Sequence, residues 1–190
     1  IVLFHGIAVG WSLYMTFLDQ LDGQRDVILC NYEAIMLMSL QVPHLDATEY
    51  AAAVDKILED NGASTVTLIG HSFGSAVISW CLEKFEHRVE NLVLLDPVSP
   101  LLSFPDVCWN VFFRPPFSAL SWGMRKLMVT ELTVANTMSR HFWWYEGILW
   151  LEHLPSEMEV FVGLCGDDIV LNPIAIQEYV KLIGNPRHQA

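Results

Sequence analysis

A serine stands between two glycines in the run 70–74, Gly-His-Ser-Phe-Gly. A serine hydroxyl is a weak nucleophile, so acyl-transfer chemistry at Ser72 requires a base beside it and N–H donors directed at the oxyanion that forms. The β-branched, apolar run at 65–69 predicts a buried strand before the motif, and the run at 75–82 predicts a helix after it. Glycine tolerates positive φ and has no Cβ to clash, so a tight turn is allowed. The pattern predicts a nucleophile exposed at a sharp strand-to-helix turn.

This G-x-S-x-G sequence, in its strand–turn–helix context, resembles the nucleophile elbow of the α/β-hydrolase family. The resemblance implies that Ser72 attacks the substrate and that the N–H of Phe73 donates to the oxyanion. The alternative is a strand–turn–helix whose serine is only small and polar.

A second resemblance lies at the start of the chain, where the apolar run 1–4 is followed by His5-Gly6. The pair is similar to the H-G loop that follows the third strand in α/β-hydrolases and supplies the second oxyanion donor. By position the donor would be the N–H of Ile7, with the N–H of Ala8 as the neighbouring choice. A glycine-rich turn without a catalytic role is the alternative.

The third element of the site is an acid. A G-x-D sequence ends the strand predicted at 159–164 and is similar to the site of the triad acid in the family. Alignment on Gly166 selects Asp168, with Asp167 as the one-residue alternative. Asp96, which ends the preceding predicted strand, is another candidate, since some family members resemble that arrangement. The resemblance implies that the acid orients an imidazole and stabilises the imidazolium. A solvated turn beside a helix start is the alternative.

The base of such a triad would follow the acid in the family order Ser, acid, His. The only histidine after Asp168 is His188. A helix of about ten residues is predicted between them and would run roughly 15 Å back along the sheet, so His188 is expected far from Ser72. We therefore expect the base beyond residue 190. The chain is interpreted as the interior of one α/β-hydrolase domain, 1–190, truncated at both ends.

Strand-like apolar runs alternate with helical patterns along the chain. The predicted strands are 1–4, 27–31, 65–69, 91–95 and 159–164. Asp46 and Glu49 form a capping-box pattern before one helix, Asn61-Gly62 ends it, and the apolar run 11–21 predicts a helix packed between layers. This alternation is typical of an α/β fold, so we expect one parallel sheet with helices on both faces and the strand at 65–69 in its interior.

Residues 98–157 interrupt that alternation with prolines and a dense aromatic set. Its members are Phe104, Trp109, Phe112, Phe113, Phe117, Trp122, Phe142, Trp143, Trp144, Tyr145 and Trp150. The segment lies where α/β-hydrolases carry a cap over the pocket, and an aromatic-rich helical cap would suit an acyl or other apolar substrate. For most of these rings, packing of the cap on the core is the favoured alternative.

Composition limits the other partners. The formal net charge of −12 argues against nucleic-acid binding, because no basic stripe neutralises phosphates. Four separated cysteines suggest neither a zinc site nor a disulfide framework, and buried free thiols favour a reducing compartment. The uncharged runs at 1–18 and 62–82 contain glycine turns, so no transmembrane segment is predicted, although membrane-surface association stays open. The location expected is cytoplasmic or membrane-peripheral.

Two functions follow. The first is a serine hydrolase acting on an ester or related acyl bond of an apolar small molecule, with Ser72 and Asp168 as catalytic residues, Ile7 and Phe73 as oxyanion donors, and no cofactor or metal. Hydrolysis and acyl transfer to another alcohol are not distinguished. The second is an inactive hydrolase-fold protein that binds a small apolar ligand or a protein partner.

Overall fold

Five parallel strands form one sheet in the computed structural model, which describes residues 1–7, 10–21, 25–37, 39 and 44–183. The strands are β1 (Val2–Phe4), β2 (Ile28–Cys30), β3 (Val66–His71), β4 (Val89–Leu95) and β5 (Glu159–Gly163). Their order across the sheet is β2-β1-β3-β4-β5. The five strands predicted from the sequence are confirmed within a few residues at their ends, and β3 is the central strand. Because all strands run the same way, their carboxyl ends meet along one edge.

Seven α-helices in the described part of the chain connect and flank these strands. They are α1 (Met15–Leu21), α2 (Ala47–Asp60), α3 (Gly74–Phe85), α4 (Pro105–Cys108), α5 (Ala119–Arg125), α6 (Leu132–Arg140) and α7 (Pro173–Leu182). Helix α3 packs against α2, β1 and β3. The predicted fold class, a parallel α/β sheet with helices, is therefore confirmed. No helix among the described residues is long and apolar enough to cross a membrane.

The ends of α2 follow the local signals in the sequence. The Glu49 N–H donates to Asp46 Oδ1 at 2.8 Å, and the Asp46 N–H donates to Glu49 Oε2 at 3.0 Å, which completes the capping box. Asn61 is the C-cap, and Gly62 follows at φ +65°, where a Cβ would be strained. These predictions are confirmed.

The core lies around α3. Ten of its twelve residues are buried, which an outer helix with one solvent face could not achieve. Side chains of β3 and β4, including Leu68, Leu92 and Leu94, pack beneath it and are at most 1% exposed. The helix is therefore enclosed between the sheet, α2 and residues of the aromatic segment, and the turn that precedes it has a rigid support.

The prediction that the run 11–21 forms a helix packed between layers is wrong. The run 11–21 forms a 3₁₀ turn (Gly10–Leu13) and then α1, none of whose residues is buried, and Leu13 and Met15 are mainly exposed. The rings of Trp11 and Tyr14 contact His5 and His71, and the apolar side chains of α1 are at most half-buried. The four cysteines are free, as predicted, but not all are buried.

Cys30 and Cys81 are buried, whereas Cys108 is half-buried and Cys165 is exposed. Burial raises the pKa of the Cys30 thiol to about 12. Cys165 follows the end of β5, and Cys108 ends α4 beside the buried Val107, so both stand at the edge of the core and the burial prediction fails for them.

The aromatic segment, residues 98–157, contains α4, α5 and α6. It also has π-helical turns at Trp109–Phe113 and Lys126–Thr130 and 3₁₀ turns at Ser99–Leu101, Trp144–Gly147 and Leu151–His153. Of its eleven aromatic side chains, eight are exposed, so packing on the core is the wrong interpretation for most of them. Phe142 is buried and packs on Phe73, with their ring centroids 5.0 Å apart.

Candidate functional site

Ser72 stands at the turn between β3 and α3, with φ +52°. This is the left-handed region, which costs an L-residue with a Cβ roughly 1–2 kcal/mol. The sequence interpretation assigned positive φ to the flanking glycines, and the structure corrects it, because the strained angle falls on the serine. Such strain persists only where the surrounding structure enforces it, and it is concentrated at functional sites.

Neighbouring main-chain atoms lie so close to Gly70 and Gly74 that neither position has room for a Cβ. A Cβ on Gly74 would overlap the carbonyl oxygen of Phe4 and lie 2.7 Å from its carbon. A Cβ on Gly70 would lie 2.8 Å from the carbonyl oxygen of Gly74. Strand β1, the turn and the start of α3 therefore touch through their main chains, and only residues without a Cβ fit between them.

Hydrogen bonds hold the turn in its strained form. The Ser72 N–H donates to the carbonyl of Leu95 at 2.9 Å, and Ser75 Oγ donates to the carbonyl of Ser72 at 2.7 Å. The same Ser75 Oγ accepts the N–H groups of Val98 and Ser99 at 3.0 and 3.1 Å. Ser75 is completely buried, so it links the turn to the chain that follows β4.

The H-G loop after β1 is organised by a buried histidine. His5 Nε2 lies 3.2 Å from the N–H of Tyr32, which can only donate, so the His5 proton is on Nδ1 and donates to the Gly6 carbonyl at 2.7 Å. Burial lowers the pKa of His5, which favours this neutral form. The imidazole thus orients the peptide between Gly6 and Ile7, whose N–H was predicted as an oxyanion donor.

Tyr14 joins that loop to the serine motif. The Gly6 N–H donates to Tyr14 Oη at 2.9 Å, and Tyr14 Oη lies 2.7 Å from His71 Nδ1. Burial lowers the pKa of His71, opposed by the charges of Asp96 and Asp168, so the neutral ring accepts the phenolic proton. The sequence interpretation did not select Tyr14; its only signal was a phenolic hydroxyl within an apolar run.

Ser72 lies between two cavities of different character. The first is a small apolar chamber. Its walls include Ile7, Phe73, Val111, Phe112, Phe142 and Trp144. The second is a more polar cleft, and its lining includes Ile7, His71, Asp96, Leu120, Asp167 and Asp168. Ser72 and Ile7 line both, so the hydroxyl and the H-G loop meet where an apolar and a polar compartment join.

The three candidate acids all line the polar cleft. Asp168 is half-buried, and its Oδ1 accepts the N–H groups of Val170 and Leu171 at 2.6 and 2.7 Å. Asp96 Oδ1 accepts the N–H of Cys165 at 2.6 Å. Main-chain N–H groups thus orient both carboxylates. The acids line the same cleft as Ser72, where a carboxylate could orient the imidazole of a triad.

Asp96 and Asp167 differ from Asp168 in their backbone and exposure. Asp96 has φ +43°, and its N–H donates to the Gly163 carbonyl at 2.8 Å, so it terminates β4 against β5. Asp167 is exposed. The bonds of Asp168 fix its side chain within its own loop, whereas Asp96 connects two strand ends.

The positive end of α3 contributes to the same place. Phe73 is the N-cap of α3, so its N–H is among the donors that have no partner inside the helix. Such N–H groups favour an anion, and here they adjoin Ser72. Within the described residues, no group of three or more His, Cys, Asp or Glu side chains is arranged to hold a metal ion.

Two residues of the sequence interpretation lie outside the described residues. They are Ala8, the alternative oxyanion donor, and His188, the only histidine after Asp168. Of the histidines that are described, His71 lines the polar cleft, with its Nδ1 held by Tyr14.

A sequence model of the α/β-hydrolase fold matches residues 1–142, which is most of the chain and includes β1 to β4 with the serine turn. The chain belongs to the α/β-hydrolase fold family. Its central strand, serine turn and H-G loop lie in the part of the chain that the family model covers.

This α/β-hydrolase resembles several characterised proteins. It is 27% identical over 101 residues to a mouse (Mus musculus) (lyso)-N-acylphosphatidylethanolamine lipase, a match that covers 51% of this chain and 30% of the lipase. The matched part is therefore less than a third of that relative's length.

Solved structures resemble it over nearly the whole chain. A hydrolase from Oleispira antarctica has 17% identity and a TM-score of 0.61, with 99% of this chain and 80% of that one covered. A bacterial membrane phospholipase A has 17% identity and a TM-score of 0.64, with 99% and 68% covered. At these identities the likeness shows the fold alone.

Proposed function

We propose that this α/β-hydrolase cleaves an ester or related acyl bond of an apolar small molecule through Ser72. The observation that carries the proposal is the serine itself, held at φ +52° where an apolar chamber meets an acid-lined cleft. A structural serine has no need of this strain, because a glycine would adopt the angle at no cost. The mouse lipase that the chain resembles over 101 residues is named for an N-acylated phospholipid, which agrees with this substrate class.

The two cavities suggest how the substrate lies. The acyl group occupies the apolar chamber, and the leaving group extends into the polar cleft. The N–H groups of Ile7 and Phe73 stabilise the oxyanion. The aromatic segment acts as the cap, since Phe112, Phe142 and Trp144 form part of the chamber wall.

The base in this mechanism is a histidine from outside the described residues. It takes the Ser72 proton during attack, gives it to the leaving group, and then activates the water or alcohol that accepts the acyl group. Asp168 orients its imidazole from the polar cleft. His71 does not serve, because its Nδ1 is committed to Tyr14 and the burial of its ring disfavours the imidazolium.

Fluorophosphonate labelling of the full-length protein tests the proposal. An activated serine is expected to form a covalent adduct, and mass mapping is expected to locate it on Ser72. Ser103, which is exposed, provides the internal control and should stay unmodified. Intact protein that reacts at neither serine would favour the second candidate, a ligand-binding member of the fold without turnover.

Removing the Tyr14 hydroxyl is expected to weaken the oxyanion site without affecting substrate binding. Tyr14→Phe frees the Gly6 N–H and the Nδ1 of His71, so the H-G loop loses its link to the serine motif. We expect kcat to fall about tenfold with KM nearly unchanged, less than the 10²–10³ loss for a direct donor. Steady-state kinetics measures both constants.

Tyr50→Phe is the matched control for this variant. The Tyr50 hydroxyl donates to the carbonyl of Asn31 at 3.0 Å and lines neither cavity beside Ser72, so its loss should lower stability but leave kcat unchanged. Equal kcat values for the two variants would contradict the assigned role of Tyr14.

A further inference from the structure

Residues 104–126, here called the amphipathic hairpin, present an unusual outer surface. Six large apolar side chains are more than half exposed within nineteen residues, namely Phe104, Trp109, Phe113, Phe117, Leu120 and Trp122. At 150–250 Å² for a whole aromatic side chain, the five aromatic members expose roughly 400–700 Å² in total. This is comparable with the largest apolar patch on a typical monomer, about 300–600 Å², and patches of that size are often functional.

Several of these side chains contact a neighbouring ring or cation along the hairpin. The rings of Trp109 and Phe113 stack with centroids 6.1 Å apart, and the guanidinium of Arg114 lies 4.2 Å from the centroid of Phe117. The ammonium of Lys126 lies 5.5 Å from the centroid of Trp122. Aromatic and cationic groups are therefore paired on the same stretch of surface.

The two halves of the hairpin are also tied together. Arg125 Nη1 donates to the carbonyl of Phe112 at 3.1 Å, which joins the end of α5 to the π-helical turn Trp109–Phe113. Ser121 Oγ accepts the N–H of Phe117 at 2.9 Å. The surface is thus one folded unit and not a set of independent side chains.

Charge is distributed unevenly between the hairpin and the rest of the protein. The hairpin has three cationic residues, Arg114, Arg125 and Lys126, and one acidic residue, Asp106. The other seven cations of the chain stand against the other 21 acids. An anionic surface would therefore attract the hairpin and repel the remainder, which orients the protein as well as binding it.

We propose that the amphipathic hairpin docks the protein onto an anionic phospholipid bilayer. Tryptophan and phenylalanine favour the headgroup level of a bilayer, where their rings meet acyl chains, and adjacent Arg and Lys side chains reach the lipid phosphates. A protein partner, such as a second copy of this chain, is the alternative that the test below separates. A nucleic acid could contact the cations, but it would leave the exposed apolar side chains in water.

Docking in this orientation has a consequence for the site. Leu120 on the hairpin lines the polar cleft, and Val107, Val111 and Phe112 on the same hairpin line the apolar chamber. The hairpin is therefore the wall between Ser72 and the bilayer. An apolar molecule dissolved in the membrane would reach the cavities along this wall without crossing bulk water.

Vesicle flotation with the full-length Ser72→Ala protein tests the docking, and it does so independently of any activity at Ser72. The protein is expected to float with vesicles of phosphatidylcholine mixed with phosphatidylserine and much less with phosphatidylcholine alone. Arg114→Gln with Lys126→Gln is expected to lower the partition coefficient about 25-fold, since each cation near an anionic surface contributes about fivefold. Trp109→Ala with Trp122→Ala is expected to lower it by about tenfold or more.

Matched controls use exposed residues elsewhere on the protein. Lys84→Gln with Lys181→Gln removes two exposed cations from α3 and α7, and Ile174→Ala with Leu182→Ala removes two exposed apolar side chains from α7. Both pairs should leave flotation unchanged, and circular dichroism should report the same fold for all variants. Equal loss in the controls, or no flotation at all, would overturn the proposal. A change of oligomeric state in the hairpin variants without flotation would also overturn it and would assign the surface to a second copy.

Discussion

Replacing Ser72 with alanine is expected to lower kcat of the full-length protein by about 10⁴ to 10⁶, with KM within a few-fold of its original value. The loss is large because the hydroxyl is the group that forms the covalent intermediate. Residual turnover comes from the oxyanion donors and from substrate binding. Turnover of a chromogenic ester under saturating conditions measures the change.

The structure offers a matched serine for this experiment. Ser103 is exposed and lines neither cavity beside Ser72, so Ser103→Ala should keep the full kcat. Alanine at position 72 retains the Cβ, so the backbone strain stays and the comparison isolates the hydroxyl. Undiminished turnover of every accepted substrate by Ser72→Ala would exclude the proposed enzyme mechanism.

Replacing Asp168 with asparagine is expected to lower kcat by about 10³ to 10⁴, less than the loss at Ser72, because the histidine can still act as a base. Asparagine keeps an oxygen that accepts the N–H groups of Val170 and Leu171. The loop is therefore retained, and the measured loss reports the missing charge. Steady-state kcat of the folded variant is the measurement.

Asp96→Asn is the control that separates the two acids. Asparagine can still accept the N–H of Cys165, and it tolerates positive φ as well as aspartate does, so its fold should be preserved. We expect its kcat to fall much less than that of Asp168→Asn. The reverse order would transfer the role of the acid to Asp96.

The sequence by itself determined the parts of the fold that depend on local patterns. Buried parallel strands are continuous apolar runs, so β3 and β4 could be located before any contact was known. The capping box of α2 also depends on residues three positions apart, and it formed as predicted. The G-x-S-x-G and H-G patterns likewise brought Ser72, Phe73 and Ile7 to the walls of one cavity.

Other features were decided by contacts between distant parts of the chain. The positive φ of Ser72 depends on Leu95 and on the buried hydroxyl of Ser75, which no local rule contains. Tyr14 became part of the site because two residues 57 positions apart share a hydrogen bond. Such a bond has no signature in composition or periodicity.

Burial was the property that only the tertiary structure could decide. An apolar side chain shows that burial would be favourable, but the number of sites beneath a small sheet is limited, and α3 with its neighbours occupies them. Residues of α1, Cys165 and most rings of the aromatic segment were therefore left outside. The sequence established that the chain is rich in aromatic side chains, and the tertiary structure determined which of them face the chamber beside Ser72 and which face the surroundings.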